Sequence, residues 1–207
     1  MSSRALATSR TRRTQADRSA TTRDALVAAA RRLFAEHGFA EVSTDAIVAA
    51  AGVTRGALYH QFADKTALFE AVLAAVEADI ARRLAEAAVA AGISDPVEAL
   101  LHATRTWLDI CVEPENHRIA LIDGPSVLGW THWRAVCHLH VLGLVRTLLT
   151  QGIELGRIRP QPVMPLAHVL MGAGDEAALY VAEAADRTQA RAEMTEVLGN
   201  FFRNLTT

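Results

Sequence analysis

A single residue, Val53, stands between a glycine that stops one helix and a threonine that starts the next. Gly52 supplies the left-handed conformation that ends a helix. Thr54 is a preferred N-cap, because its side-chain oxygen accepts from an amide of the following turn. The helix before Gly52 is only about two turns long. Ser43 caps it, and Val42 with Ile47 staples its start. Val53 with Leu58 repeats the staple on the next helix. Two short helices joined by so tight a turn must cross steeply, which is helix-turn-helix geometry.

The flanks extend this helical reading. Thr21 and Asp24 fit a capping box. Leu26, Ala29, Ala30, Leu33, Phe34 and His37 then form one stripe at helical spacing, and Gly38 suits its stop. Asp64 caps a long fourth helix that runs to Ala91, with Leu68, Val72, Val76, Ile80 and Leu84 on its inner face and Gly92 at its end. Beyond it the spacing predicts helices over 96–112, 115–122, 130–155, 163–185 and 188–204. Gly124-Pro125, Gly156 and the stretch from Pro160 to Pro165 mark breaks. Hydrophobic residues make up 51% of the chain, much of that alanine, and strand-favouring residues are sparse. The fold class is therefore all-α, with an arm over 1–20, a three-helix domain over 21–66 and a larger helical domain over 67–207.

Net charge is −2, so the chain as a whole is not basic. Its distribution is uneven. Residues 1–65 hold ten Lys/Arg against six Asp/Glu, and the remainder is acidic. Such asymmetry points to a nucleic-acid module joined to an acidic one. The arginines of the first twenty residues make either a solvated tail or an arm for phosphates or a minor groove. Cys111 and Cys137 lie in apolar helical patterns with no CxxC, which suits reduced thiols. The N-terminal residues lack the apolar stretch of a signal peptide, and no uninterrupted apolar run approaches a membrane span. The expectation is a soluble, cytoplasmic protein.

The third helix carries the chemistry. Ala57, Leu58 and Phe62 face inward. Thr54, Arg55, Tyr59 and His60 face outward around Gly56. A glycine inside a helix costs about 1 kcal/mol relative to alanine. Here it makes sense if something must approach the backbone, and a DNA major groove is such a visitor. Arg55 can reach a guanine edge bidentately. Tyr59 and His60 can donate to phosphates, and Thr44 with the first amides of the second helix suits another. Lys65 has the wrong sign for the start of the fourth helix, so an external phosphate is its natural partner.

The stretch "AGVTRGALYHQFADKTALFEAV", within a segment from about Thr21 to Val72, resembles the DNA-binding domain of the TetR family of repressors. That resemblance covers about a quarter of the chain. It implies a homodimer on a palindromic double-stranded operator, released when a small apolar effector enters the second domain. An activator role fits the same motif.

In that second domain, Trp107, Trp130 and Trp133 with His102, Asp109, Cys111, Asp123 and His132 are candidates to line a cavity. The alternative is that Trp130 and Trp133 are ordinary core anchors. The last two helices are dense in small residues, and Leu170, Ala173, Ala177, Tyr180, Val181, Leu198, Phe201 and Phe202 are the candidates for a dimer face. Some of them serve an intramolecular core instead. Gly124 to Gly129 falls one residue out of a nucleophile elbow and lacks its strand. There is no HExxH, no paired CxxC and no phosphate-cradling glycine loop. No cofactor, metal or catalytic set is expected. An architectural DNA-binding protein without an effector, and an enzyme using a helical pocket, remain as alternatives.

Overall fold

A computed structural model describes residues 15–206. The elements are α1 (Gln15–Glu41), α2 (Thr44–Ala51), α3 (Arg55–Gln61), α4 (Lys65–Ala91), α5 (Pro96–Cys111), α6 (Pro114–Asn116), a π-helical segment (His117–Asp123), α7 (Gly124–Leu128), α8 (Trp130–Glu154), α9 (Val163–Glu183) and α10 (Arg187–Arg203). Among the described residues no strand forms beyond an isolated bridge between Ile158 and Thr206.

The caps at α2, α3 and α4 behave as the sequence indicates. Ser43 accepts from Ala46 N at 3.1 Å, Thr54 from Ala57 N at 3.2 Å and Asp64 from Ala67 N at 2.7 Å. Gly52 and Gly92 end their helices in the left-handed region, at φ 65° and 61°. The start of α1 is different. It reaches back to Gln15, so Thr21 lies inside a helix rather than at its cap. Neither Gly nor Pro interrupts residues 15–21, and the Ser19 hydroxyl accepts from Gln61 Nε2 at 2.7 Å, tying this extension to α3. The remainder of the expected arm, residues 1–14, lies outside the described residues. Gly38 breaks α1 at φ 79°, and the chain makes one more turn to Glu41. His37, expected on the inner stripe, is exposed.

The segment after α5 is also not the simple helix expected over 115–122. Asn116 is buried and its amide donates to Ile110 O. From His117 the chain widens to π-helix. Trp133 Nε1 donates to Ala120 O at 2.7 Å, inserting a side chain where the helical ladder loosens. At Gly124 a Cβ would lie 2.6 Å from Trp133 Cδ1, so only glycine admits the ring there. The expected break at 124–129 is thus a further short helix, α7.

One core runs from the DNA-proximal helices into the body. It joins Leu26, Phe34, Ile47, Leu58 and Phe62 to the whole inner face of α4, and continues to Ile110, Ile119 and Trp133. Phe34, Phe39 and Phe69 meet at ring separations of 5.2–5.6 Å. A second cluster packs α5, α8, α9 and Phe202, and a third sets Leu108 and Cys111 against Ala177, Ala178 and Leu198. By length and hydropathy α8 is apolar enough to cross a membrane, although the sequence reading found no such run. In the fold it lies against α4, α5, α7 and α9.

Five of the eight residues expected on a dimer face are internal. Leu170, Ala177, Val181, Leu198 and Phe202 are buried within the chain. The small residues of α9 serve close packing inside the protomer: Gly174 receives Trp107, and Ala177 with Ala178 receives Leu108 and Cys111. Ala173 is half-buried, whereas Tyr180 and Phe201 are exposed.

Candidate functional site

The short helix α3 is held from beneath by Leu58 and by Phe62 at its end, both buried. Its outer side presents Thr54, Arg55, Gly56, Tyr59 and His60, all exposed. The Arg55 guanidinium donates to Asp45 of α2 at 3.0 Å and lies 5.7 Å from the Tyr59 ring centre. Asp45 and Tyr59 thereby hold the longest cation of this face at the start of α3. A Cβ at Gly56 would meet only Thr54 Oγ1, at 3.9 Å. Nothing inside the chain calls for that glycine. Thr44 is half-buried at the first position of α2.

Lys65 sits differently from the sequence expectation. Its Nζ donates to Phe39 O at 2.9 Å and to Val42 O at 3.0 Å, and lies 4.1 Å from the Phe39 ring centre. The end of α1 has carbonyls without helical partners, and a cation there is favourable. Lys65 is therefore explained by the turn it closes, with no phosphate required.

Two more joints fix α1 to the body. Arg31 donates to Asp79 of α4 at 2.5 Å and to Glu115 at 2.7 and 3.1 Å. Asp123, at the end of the π-helical segment, accepts from Phe39 N at 2.8 Å. The break at Gly38 is filled by Arg118, whose guanidinium occupies the space a Cβ would need. Asp123 thus serves the junction and not the cavity.

A cavity of about 90 Å³ opens between α4, α5, α8 and α9. Of the residues expected there, Trp107 and Trp133 line it. Trp130, His102, Cys111 and Asp123 do not. Trp130 is exposed and stacks on Trp133 with ring centres 4.8 Å apart. His102 has a buried, unpartnered Nε2 away from the lining, and Cys111 belongs to the third core cluster. Asp109 pairs with Arg191, and His132 with Glu70, near the surface.

Two carboxyl groups that the aromatic residues overshadow in the sequence line this cavity: Glu77 of α4 and Asp175 of α9. Glu77 is 2% exposed. It accepts one hydrogen bond, from Cys137 Sγ at 3.3 Å. Burial pushes its carboxyl up to about 7; the Cys137 bond opposes the rise and the nearby Asp175 adds to it. Burial likewise raises Asp175 to about 7, against the field of Arg134. Burial raises the Cys137 thiol too, so it stays protonated and donates. The signal was present in the sequence. Glu77 falls at i+4 from Leu73 and i−3 from Ile80, inside an apolar stripe.

Fold and surface define a helix-turn-helix DNA-binding protein whose helical second domain encloses a small cavity. Residues 26–72 match the family described as bacterial regulatory proteins, tetR family, and residues 97–205 match the tetracyclin repressor-like C-terminal domain. The chain is 33% identical to a TetR-family transcriptional regulator from Pectobacterium atrosepticum, whose crystal structure superposes with a TM-score of 0.80 over 94% of this chain and 98% of that one. It is 27% identical to the HTH-type transcriptional repressor AcnR of Corynebacterium efficiens over 155 residues, 75% of this chain and 78% of the relative. RolR in complex with resorcinol shares the fold, with a TM-score of 0.71 at 21% identity over 92% of this chain and 95% of that one. The chain belongs to the TetR family and is a DNA-binding transcriptional repressor.

Two outcomes follow from this geometry. Lys65→Ala removes two charge-assisted hydrogen bonds, each worth roughly 1.5–3 kcal/mol at most. Urea denaturation is expected to show a loss of up to about 3–6 kcal/mol for the two together, while the salt slope of DNA binding stays unchanged; a flattened slope with intact stability would return Lys65 to the phosphates. Glu77 binds its proton more tightly in the folded chain than in the unfolded one, where it titrates near 4.5. Stability therefore falls as pH rises from about 4.5 to about 7, by on the order of 3 kcal/mol. Glu77→Gln is expected to raise the melting temperature at pH 8, with the gain shrinking toward pH 5. A gain independent of pH would contradict the buried-carboxyl account.

Proposed function

We propose that this repressor works in the cytoplasm as a homodimer on a palindromic operator, and that it leaves the DNA when a small molecule enters the cavity of α4, α5, α8 and α9. Arg55 reads a base edge in the major groove, and Thr44, Thr54, Tyr59 and His60 hold register on phosphates around it. Gly56 lets the backbone of α3 approach the groove. The dimer face is the outer side of α9 and α10. Val169, Tyr180, Val197 and Phe201 remain exposed there after the protomer has folded, and apolar side chains left out on two adjacent helices favour pairing across a two-fold axis. RolR, a protein of the same fold, takes resorcinol, which supports a small-molecule role for the cavity. The protein is a regulator and not a catalyst.

The observation that carries this reading is α4 itself. Its first residue, Lys65, grips the end of α1. Twelve residues on, roughly 18 Å along the axis, Glu77 lines the cavity. A ligand that prefers one placement of α4 changes where the DNA-reading domains stand, and DNA tolerates only a separation near one helical turn. The ligand shifts a population and need not touch the groove.

The test is a mobility shift on the DNA upstream of the protein's own gene, with salt and competitor controls. Two chains per palindrome are expected. Arg55→Ala is expected to cost about 1–3 kcal/mol on the palindrome and to relax sequence preference. Sequence-blind binding by the native protein, or an equal loss on all sequences in the variant, would overturn the assignment.

A further inference from the structure

The polar inventory of the cavity is one-sided. Apart from the two carboxyls, four lining side chains carry a hydrogen-bond donor, and each of those donors is engaged by the protein. Trp107 Nε1 donates to Gly174 O at 3.1 Å, and Trp133 Nε1 to Ala120 O at 2.7 Å. Thr104 Oγ1 donates to Leu100 O at 2.9 Å, and Cys137 Sγ to Glu77 at 3.3 Å. The acceptors are the opposite. Glu77 accepts only that thiol, and Asp175 accepts no hydrogen bond from any described residue. Among the described residues no cation bonds either carboxylate. Arg134 acts on Asp175 at a distance, while its guanidinium lies toward His168 and the Trp130 ring. The remaining wall is apolar, apart from two indoles that have only their π surfaces left to offer.

Above pH 7 an anion meets two carboxylates that repel it and no donor that the protein has not already engaged. A neutral apolar molecule leaves the acceptors unpaired, which costs free energy in a dry site. A cation answers both features, since it pairs with the carboxylates and is attracted to the indole quadrupoles. We infer that the effector is a compact organic cation, an ammonium bearing apolar groups, held by Glu77 and Asp175 against Trp107 and Trp133. The inference rests on reading the cavity as the effector site, and it replaces the small apolar effector that the resemblance implies with a charged one.

Size connects this charge to release. The cavity, about 90 Å³, is smaller than the roughly 150 Å³ that accommodates benzene. An ammonium that outgrows this volume is expected to press α4 and α9 apart. Glu77 and Asp175 lie on those two helices, so the ligand that neutralises them also separates them.

The pH dependence has a definite sign. Burial raises both carboxyls to about 7. The groups that face them are each other, the Cys137 and Cys111 thiols, which burial keeps protonated, and Arg134. Cation binding expels protons below pH 7, so affinity rises with pH and levels off above it. A neutral ligand gains nothing from that ionisation.

The experiment compares carbon isosteres that differ only in charge: choline with 3,3-dimethylbutan-1-ol, and phenyltrimethylammonium with tert-butylbenzene. Binding to the full chain is read by tryptophan fluorescence and calorimetry between pH 5.5 and 8, and release by the operator mobility shift. At pH 8 at least one cation is expected to bind about tenfold or more tightly than its isostere, a difference of about 1.4 kcal/mol, and the gap is expected to close toward pH 5.5. Glu77→Gln and Asp175→Asn, each checked by its melting curve, are expected to erase the preference for charge and to leave the neutral member's affinity within a few-fold. Equal or tighter binding of the neutral members by the native protein overturns the inference, as does an absence of binding by either cation. A neutral isostere that binds and releases DNA leaves the effector reading standing while the charge claim falls. A cation that binds with the expected preference and releases nothing does the reverse.

Discussion

The apolar stripe of α4 is the interaction on which the rest of the molecule depends. Leu68, Phe69, Val72, Leu73, Val76, Ile80 and Leu84 are all buried. Each contributes about 1.5–3 kcal/mol of burial before conformational entropy is charged against it. These residues touch the DNA-reading helices at one end and the cavity wall at the other, within a single continuous core. Close-packed interiors transmit displacement, because a gap of a fraction of an ångström already forfeits contact. The head and body of this chain thus share one packed core along α4.

Polar joints set the register of that core and add little stability. Arg31 with Asp79 and Glu115, Arg83 with Glu113, and Arg118 with Asp123 are partly solvent-exposed pairs, and such pairs contribute on the order of 0–1 kcal/mol each. Their value is geometric. Arg31 reaches α4 and α6 from one side chain. Asp123 satisfies the Phe39 amide that the break at Gly38 leaves without a helical partner. The π-helical segment carries Asp123 at one end and, through Ala120 O, holds Trp133 in the cavity wall. It is thus a second physical link from the cavity to α1, beside α4. Irregular helical turns of this kind concentrate where function needs a side chain placed off the regular ladder.

The local parts of the structure were legible in the sequence, since caps, staples and glycine stops act within one turn of themselves. Ser43, Gly52, Thr54, Asp64 and Gly92 each sit where their chemistry puts them. What failed was set by distant partners. Lys65 looked unfavourable at the start of α4 because the carbonyls it binds belong to another helix. Thr21 looked like a cap because the packing of Ser19 against Gln61, which extends α1, is invisible along the chain. The small residues of α9 read equally as a dimer seam or an internal one; Gly174 packs internally against Trp107, whereas Gly172 has no neighbour within 4 Å. Two of eight cavity candidates, Trp107 and Trp133, line the site. Its carboxyls, Glu77 and Asp175, sit among apolar residues along the chain, where a carboxyl is rarer and more informative than an aromatic ring.

The central claim is that filling the cavity moves the DNA-reading helices through α4. The most direct measurement is the distance between spin labels on the two protomers of the dimer. Ala50 is exposed on α2, and Ala50→Cys carries the label, while the native Cys111 and Cys137 thiols are held protonated by burial. With operator bound and the cavity empty, the inter-protomer distance should be narrowly distributed, with the recognition helices about one DNA turn apart, ~34 Å. Addition of the cavity ligand should shift that distribution by several ångströms as DNA is released. Release of DNA with the distribution unchanged would contradict the account, because the ligand would then act without moving the helices that α4 is held to control.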